Sequence, residues 1–400
     1  MTADIKCVAV VGGGETGIGV ASALIDAGIA TVLIVGDVES EHRARDVIGR
    51  RAASCALLQL AELTVTQDYC KAKSAILVID ATDDDPDVAR SMLSELMKTI
   101  SDDAVIATCL GDMDIDRFAK DLHDPNRVIG LHFVAPVRTA RLLEIARGKR
   151  THPHAIAAGF AMAKRLHKIP VVVGNGSESI ANRLLACAYE AADRVFMDGS
   201  TPWEVDEALV DFGFAVGPYE AQDLVGLDIV HPMRQRYRAL KSNPQRAVPI
   251  ADRMMELGKY GRKSGAGWYR YPGGMKVDDP IVADLAIEES YLAGRTRTDY
   301  DPEEIQRRVI CAMINETAKL LRDGTARSAA DVDLVSVLAL HFPRWRGGVA
   351  YYADTVGAHH FISELEDLAV EDPTAWSVSP FLQRCAARGL PLASAFDLAP

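Results

Sequence analysis

A doubly wound, largely parallel α/β sheet followed by an all-α part built twice is the fold class that this sequence predicts. Three observations carry the prediction. Up to about residue 175, short β-rich runs alternate with segments of helical period, the pattern of strands joined by crossover helices. The run VVGGGETGIG sets a glycine-rich turn between the first strand and the first helix. From about residue 178 the β-type runs almost vanish, and helical stretches such as SIANRLLACAYEAADRVFMDG take over. The expected domains are therefore 1–177, 178–285 and 286–400: a Rossmann-type sheet domain and two all-α helical domains related by duplication.

In chain order the strand candidates are CVAVV at 7–11, TVLIV at 31–35, AILVI at 75–79, AVIAT at 104–108, RVIGLHF at 127–133 and IPVVVG at 169–174. Most are continuous apolar runs rich in β-branched residues, as befits strands buried on both faces. Helical patterns such as DPDVARSMLSELMKTI fill most of the intervals. In the second half, NRLLACAYEAADRVFMDG, a helix ending GFAVGP and DLVG at 223–226 are echoed in order by RRVICAMINETAKLLRDG, DVDLVSVLALHFPRWRGG and DTVG at 354–357. Duplication accounts for the shared order; chance likeness between amphipathic helices is the alternative. Between the copies, KYGRKSGAGWYRYPGG reads as a loop closing the first one.

The chain has 400 residues, 48% hydrophobic and 25% charged, enough for two or three domains with ordinary cores. Its formal net charge of −12 argues against a broad nucleic-acid or anionic-membrane surface and leaves small molecules as the expected partners. The seven cysteines are scattered without a CxxC pair, which suggests neither a disulfide framework nor a metal site and fits a reducing cytoplasmic location. The N-terminal run MTADIKCVAVV leads straight into a strand, so no cleavable signal is expected. No apolar stretch approaches the roughly 20 residues needed to span a bilayer.

Gly12, Gly14 and Gly17 have G-x-G-x-x-G spacing directly after a strand and at the opening of a helix. The first glycine permits the tight turn, the second lets backbone approach a pyrophosphate, and the third lets the helix pack on the strand. Gly12, Gly13, Gly14, Thr16 and Gly17 are thus candidates for holding a dinucleotide, against a glycine turn of purely structural purpose. An acid closing the second strand is expected to bond the adenosine ribose of NAD. Asp37 arrives slightly late for that; its carboxylate disfavours the 2′-phosphate of NADP, while Arg43 and Arg45 keep NADP open.

His132 ends the fifth strand candidate, on the side of the sheet where open α/β folds place ligands. Glu144, twelve residues later in the β-like run RLLEI, can stand beside the ring, set its tautomer and raise its basicity. A structural histidine and an unrelated surface carboxylate are the competing reading. Asn182 opens the first long helix of the second half.

GLHF-x-x-P with Glu144 twelve residues after His132, NRLL beginning fifty residues after that histidine, then GF-x-x-GP and VGLD, together resemble the L-3-hydroxyacyl-CoA dehydrogenases. The helical part, with INE at 314–316, SAADVDL, FPRWRGG and DTVG, is similar to the dehydrogenase portion of the multifunctional fatty-acid oxidation enzymes, without their hydratase half. The resemblance covers nearly the whole chain. It implies β-oxidation chemistry with NAD: the histidine, here His132, takes the 3-hydroxyl proton as hydride leaves C3; the glutamate, Glu144, pairs with it; the asparagine, Asn182, helps place the substrate. Asp84 falls where relatives carry a glutamate near the cofactor, although an acid suiting a helix dipole explains it equally. KSGAGWY matches a family signature taken as chiefly structural.

Three departures stand out. Gly111 replaces the serine that bonds the substrate oxygen in relatives, and Ala135 replaces the asparagine of their HFFNP. The stretch from Asp37 to Ala75, part of the arm that holds the CoA nucleotide in relatives, is short; RARDVIGRR can meet CoA phosphates or simply be a solvated helix face. Losing two hydrogen-bonding groups at Gly111 and Ala135 makes room for a bulkier substrate. The expected activity is reversible, NAD-dependent oxidation of the 3-hydroxyl of an L-3-hydroxyacyl-CoA with a branched, cyclic or aromatic acyl group. The alternatives are an NAD(P)-dependent dehydrogenase of a free 3-hydroxy acid and a non-catalytic cofactor-binding scaffold. The duplicated helices can satisfy within one chain the interface that single-copy relatives form between two, so monomer and homodimer both stay open.

Overall fold

The computed structural model describes residues 5–54, 61–82, 86–109, 114–176, 178–239, 250–294 and 296–394. The chain divides into two compact units, Met1–Ser179 and Ile180–Pro400. Among the described residues no helix is long and apolar enough to cross a membrane.

The first unit runs β1 (Cys7–Val11), α1 (Glu15–Asp26), β2 (Ala30–Ile34), α2 (Val38–Ser54), β3 (Leu63–Thr66), β4 (Leu77–Asp80), α3 (Pro86–Met97), β5 (Val105–Thr108), α4 (Ile115–Phe118), β6 (Val128–Phe133), β7 (Leu142–Arg147), α5 (Pro153–Arg165) and β8 (Ile169–Val173). The strands form one sheet in the order β3-β2-β1-β4-β5-β6-β7-β8. Chain order reverses between β1 and β4, the switch point outside which such sheets bind ligands. The core is made by Val8, Val10, Leu33, Ile79, Ala107, Leu131 and Ile145 of the strands, with Ile18, Leu24 and Ile25 of α1 and Ala158 and Met162 of α5.

The sheet departs from the sequence expectation in two places. β3 is an edge strand of four residues absent from the strand candidates; its ELTVT run alternates weakly and is too short to stand out. β7 runs antiparallel to β6, because the residues from Val134 to Arg141 are too few for the crossover that a parallel pair needs, on the order of a dozen residues. β8 then pairs parallel with β7.

The second unit comprises α6 (Ile180–Asp198), α7 (Pro202–Phe212), α8 (Pro218–Val225), α9 (Leu227–Ala239), α10 (Ile250–Glu256), the two-stranded β9 (Tyr269–Arg270) and β10 (Val277–Asp278), α11 (Pro280–Leu292), α12 (Pro302–Arg322), α13 (Ala329–Ala339), α14 (Val349–Val356), α15 (Ala358–Glu371) and α16 (Pro380–Ala387). Local chemistry starts these helices. Thr201 and Glu204 form a reciprocal capping box with Pro202 at the first position of α7. Asp301 caps α12, whose first turn holds Glu303 and Glu304 and whose last holds Lys319 and Arg322, matching the helix dipole.

The order shared by the two helical runs is matched by a likeness in their hydrogen bonds. α6 packs along α12. Asp206 accepts the Tyr219 and Glu220 N–H groups at the head of α8, both at 2.8 Å, and Asp333 accepts those of Ala350 and Tyr351 at the head of α14, at 2.7 and 2.9 Å. Gly217 and Gly348, which open those two helices, lie so close to the aspartates that a Cβ would strike their side chains. Gly226 and Gly357 end the helices with nearly identical backbone angles, φ 110° and 108°. Asp223 then receives the Trp268 and Tyr269 N–H groups, and Asp354 those of Leu392 and Ala393. The KSGAGWY loop is thereby tied to its helix, which supports the structural role expected of it.

Burial raises the Asp206 carboxyl to about 7 against three opposing hydrogen bonds, from the Tyr219 and Glu220 N–H groups and the Tyr269 hydroxyl. Because this folded value lies above the unfolded one, the group's contribution to stability is fully present below the unfolded value near 3.8 and is lost as pH rises through about 7. Asp206→Asn should therefore flatten the fall of melting temperature between about pH 4 and about pH 7, the window those two values set. Asp206→Ala, which orphans buried donors, should cost about 3 kcal/mol, and Asp333→Ala, at a half-buried site with two donors, about 1–2 kcal/mol. Equal losses in calorimetry would contradict the burial argument.

Candidate active site

Parallel β1, β4, β5 and β6 bring their C-terminal ends to one edge of the sheet. There the turn after β1 makes a cradle of bare backbone. Gly12 has φ +119°, a left-handed conformation, and a Cβ on it would strike the Ala81 carbonyl. A Cβ on Gly17 would strike the Gly12 carbonyl. Gly14 is the N-cap of α1 and offers no side chain to it, so the first-turn N–H groups carry no side-chain cap. Gly13 packs on Val35 and Ser40, and Thr16 is half-buried in the first turn. This set of unblocked donors at a helix head fits a pyrophosphate.

Asp37 is exposed and caps α2: Ser40 donates its N–H to Oδ1 at 2.7 Å and its hydroxyl to Oδ2 at 2.8 Å. These bonds, the backbone one foremost, hold the carboxyl below its usual range. The carboxylate, exposed to solvent, has the acceptor capacity to take a ribose hydroxyl as well. The lateness of Asp37 in sequence has its reason here, since β2 stops at Ile34 and the acid belongs to the helix cap. Of the two arginines that left NADP open, Arg45 is taken up by Glu41 and the Val65 carbonyl, and Arg43 bonds the Ser40 hydroxyl.

Further along the same edge, Asp80 ends β4 opposite Val11 and is fully buried. Burial raises its carboxyl, against hydrogen bonds from the Thr82 hydroxyl and N–H and the Thr108 hydroxyl. Cys109, which follows β5, has its thiol pushed well up by burial and then by Asp80, which makes it a poor nucleophile.

His132 and Glu144 are direct cross-strand partners in the β6–β7 pair. Both side chains fall on the same face, and His132 Nδ1 lies 2.7 Å from Glu144 Oε2. The Glu144 side chain is 0% exposed and the His132 side chain 16%, so the carboxylate is sealed behind the ring while the ring itself reaches the surface. A carboxylate at Nδ1 fixes that nitrogen as the donor and leaves Nε2 as the outward acceptor. Asn182 stands half-buried in the first turn of α6, in the second unit. Ala135 follows β6 and precedes Pro136 through a cis peptide. Asp84 and Gly111 lie outside the described residues.

Sequence reasoning passed over Asp80, hidden in an acidic run, and Lys168, a lysine just before a strand that carries no motif. Both prove deeply buried.

Residues 7–176 match the family model described as the NAD binding domain of 3-hydroxyacyl-CoA dehydrogenase, and residues 180–271 match that for its C-terminal domain. The chain is similar to the peroxisomal bifunctional enzyme of Danio rerio, 32% identical over 97% of this chain, and spans 57% of that enzyme's length. It is 30% identical to the solved FadB2 of M. tuberculosis, with a TM-score of 0.59 over 67% of this chain and 99% of that one. In fold it is similar to 3-hydroxybutyryl-CoA dehydrogenase from Escherichia coli K12, with a TM-score of 0.79, 22% identity, and coverage of 96% of this chain and 99% of that one. With an NAD-type cradle at the switch point and both domain models matched in order, the chain belongs to the 3-hydroxyacyl-CoA dehydrogenase family.

Proposed function

We propose that this protein catalyses the reversible, NAD-dependent oxidation of the 3-hydroxyl of an L-3-hydroxyacyl-CoA whose acyl group is branched, cyclic or aromatic. The observation that carries the proposal is the His132–Glu144 pair, at 2.7 Å, on the sheet edge that also holds the glycine cradle. The cradle of Gly12, Gly13, Gly14, Thr16 and Gly17 holds the pyrophosphate and Asp37 the adenosine ribose. NAD bound there supplies the hydride acceptor.

His132 Nε2 accepts the proton of the 3-hydroxyl, and Glu144 stabilises the imidazolium that results. In the reverse direction His132 returns that proton to the carbonyl oxygen. Asn182 helps to place the thioester. Gly111 and Ala135 stand at positions without hydrogen-bonding side chains, which favours a roomier pocket over one that grips a short straight chain. The α6–α12 packing within one chain supports a monomer.

The test is a panel of straight, branched, cyclic and aromatic 3-hydroxyacyl-CoA thioesters and the matching free acids, each with NAD, followed by NADH absorbance. Turnover of thioesters with the bulkier acyl groups ahead is expected. Turnover of free acids alone would replace the thioester by a 3-hydroxy acid, and NADH binding without any turnover would leave a scaffold.

Asp37→Ala should weaken NAD about tenfold, the loss of charge-assisted bonds to a ribose, and narrow its preference over NADP. Unchanged KM values for both dinucleotides would remove Asp37 from the site.

A further inference from the structure

Lys168, the residue before β8, takes no part in the chemistry above, yet it is only 6% exposed. An ammonium withdrawn from water is strongly unfavourable unless its donors are satisfied. Here two of the three are satisfied by backbone: Nζ donates to the Val137 carbonyl at 2.6 Å and to the Ala140 carbonyl at 2.5 Å. Burial without a compensating charge lowers its pKa to about 8. The next residue, Ile169, donates its N–H to the Arg141 carbonyl at 2.6 Å. Two consecutive residues thus fasten one short segment.

That segment is the β6–β7 connection, which leads from His132 to Glu144. Its own turn donors are already spent, since the Thr139 and Ala140 N–H groups both go to the Pro136 carbonyl. It also touches α1 at two points. The Val137 side chain lies over Gly19, where a Cβ would come within 3.3 Å of it, and Arg138 pairs with Asp26 at 2.6 Å. One end of the connection therefore meets the proton-transfer pair, and its middle meets the helix that heads the dinucleotide cradle.

Resting on the dehydrogenase function proposed above, we propose that Lys168 is a positioning residue: by tying the Val137 and Ala140 carbonyls it holds the His132–Glu144 pair in register with α1. An apolar side chain of the same length would fill the space but leave the two half-buried carbonyls without this donor and the connection freer to shift. A displacement of a fraction of an ångström between base and cofactor is enough to slow a transfer without loosening either ligand.

Lys168→Met removes the donors and keeps the stem; Lys168→Arg keeps charge and donors. The Met variant should lower kcat at least about tenfold while the thioester KM and the NADH Kd, read by fluorescence, stay within about threefold. It should also move the His132 ring resonances in NMR spectra of histidine-labelled protein, and Lys168→Arg should restore at least about a third of the rate. A Met variant with wild-type kcat and wild-type His132 resonances overturns the proposal, as does one whose loss lies only in KM and NADH binding. If no substrate is turned over by the wild type, the dehydrogenase function falls, while the His132 resonances still decide whether Lys168 sets the pair. Should the Met variant fail to fold, Lys168→Gln carries the same comparison, and misfolding of both marks Lys168 as merely structural and overturns the proposal.

Discussion

His132→Gln should lower turnover at least about 100-fold while NADH binds as before, because a positioned general base contributes on the order of 10²- to 10⁴-fold. Glutamine fills much of the same space and keeps a polar end but cannot take a proton. The carboxylate behind it then faces an amide, and the strand pairing around it has no reason to change. Rate should therefore be lost without loss of fold, which circular dichroism and NADH fluorescence check together. Near-normal turnover in this variant would remove His132 from the mechanism.

Gly17→Ala should cost at least about 100-fold in NADH affinity, which corresponds to roughly 2.7 kcal/mol. The added methyl would fall on the Gly12 carbonyl, a backbone group that cannot swing aside, and α1 must move away from the end of β1 to admit it. That movement withdraws the first-turn N–H groups from the pyrophosphate. Gly36 is the matching control, since nothing lies within 4 Å of a Cβ placed there. Gly36→Ala should bind NADH as the wild type does, and an equal loss in both variants would show the effect to be one of stability.

The sheet was legible where burial writes a continuous apolar run. β1, β2, β5 and β6 lie inside the sheet, covered on both faces, and their sequences show it. β3, at the edge, has a half-exposed face and no such signature. The direction of β7 was encoded in the length of its connection to β6, a property of spacing that a search for apolar runs does not weigh. The His132–Glu144 pair was legible for the same reason, since a tight antiparallel return makes a fixed spacing into a cross-strand contact. The second aspartate of each helical copy could be read as a motif residue, in DLVG and DTVG, but its hydrogen bonds reach loops far along the chain and appear only in three dimensions. Lys168 was illegible because a lysine beside a strand ordinarily means solvent. Its burial depends on carbonyls that a proline-led turn happens to present.

The central claim is that His132 and Glu144 act as one proton-transfer unit. A double-mutant cycle on kcat, with His132→Gln, Glu144→Gln and the two combined, tests it most directly. If the carboxylate works through the ring, the double variant should be no slower than His132→Gln alone, because Glu144 has nothing left to orient. Losses that multiply, or a Glu144→Gln variant as fast as the wild type, would contradict the account.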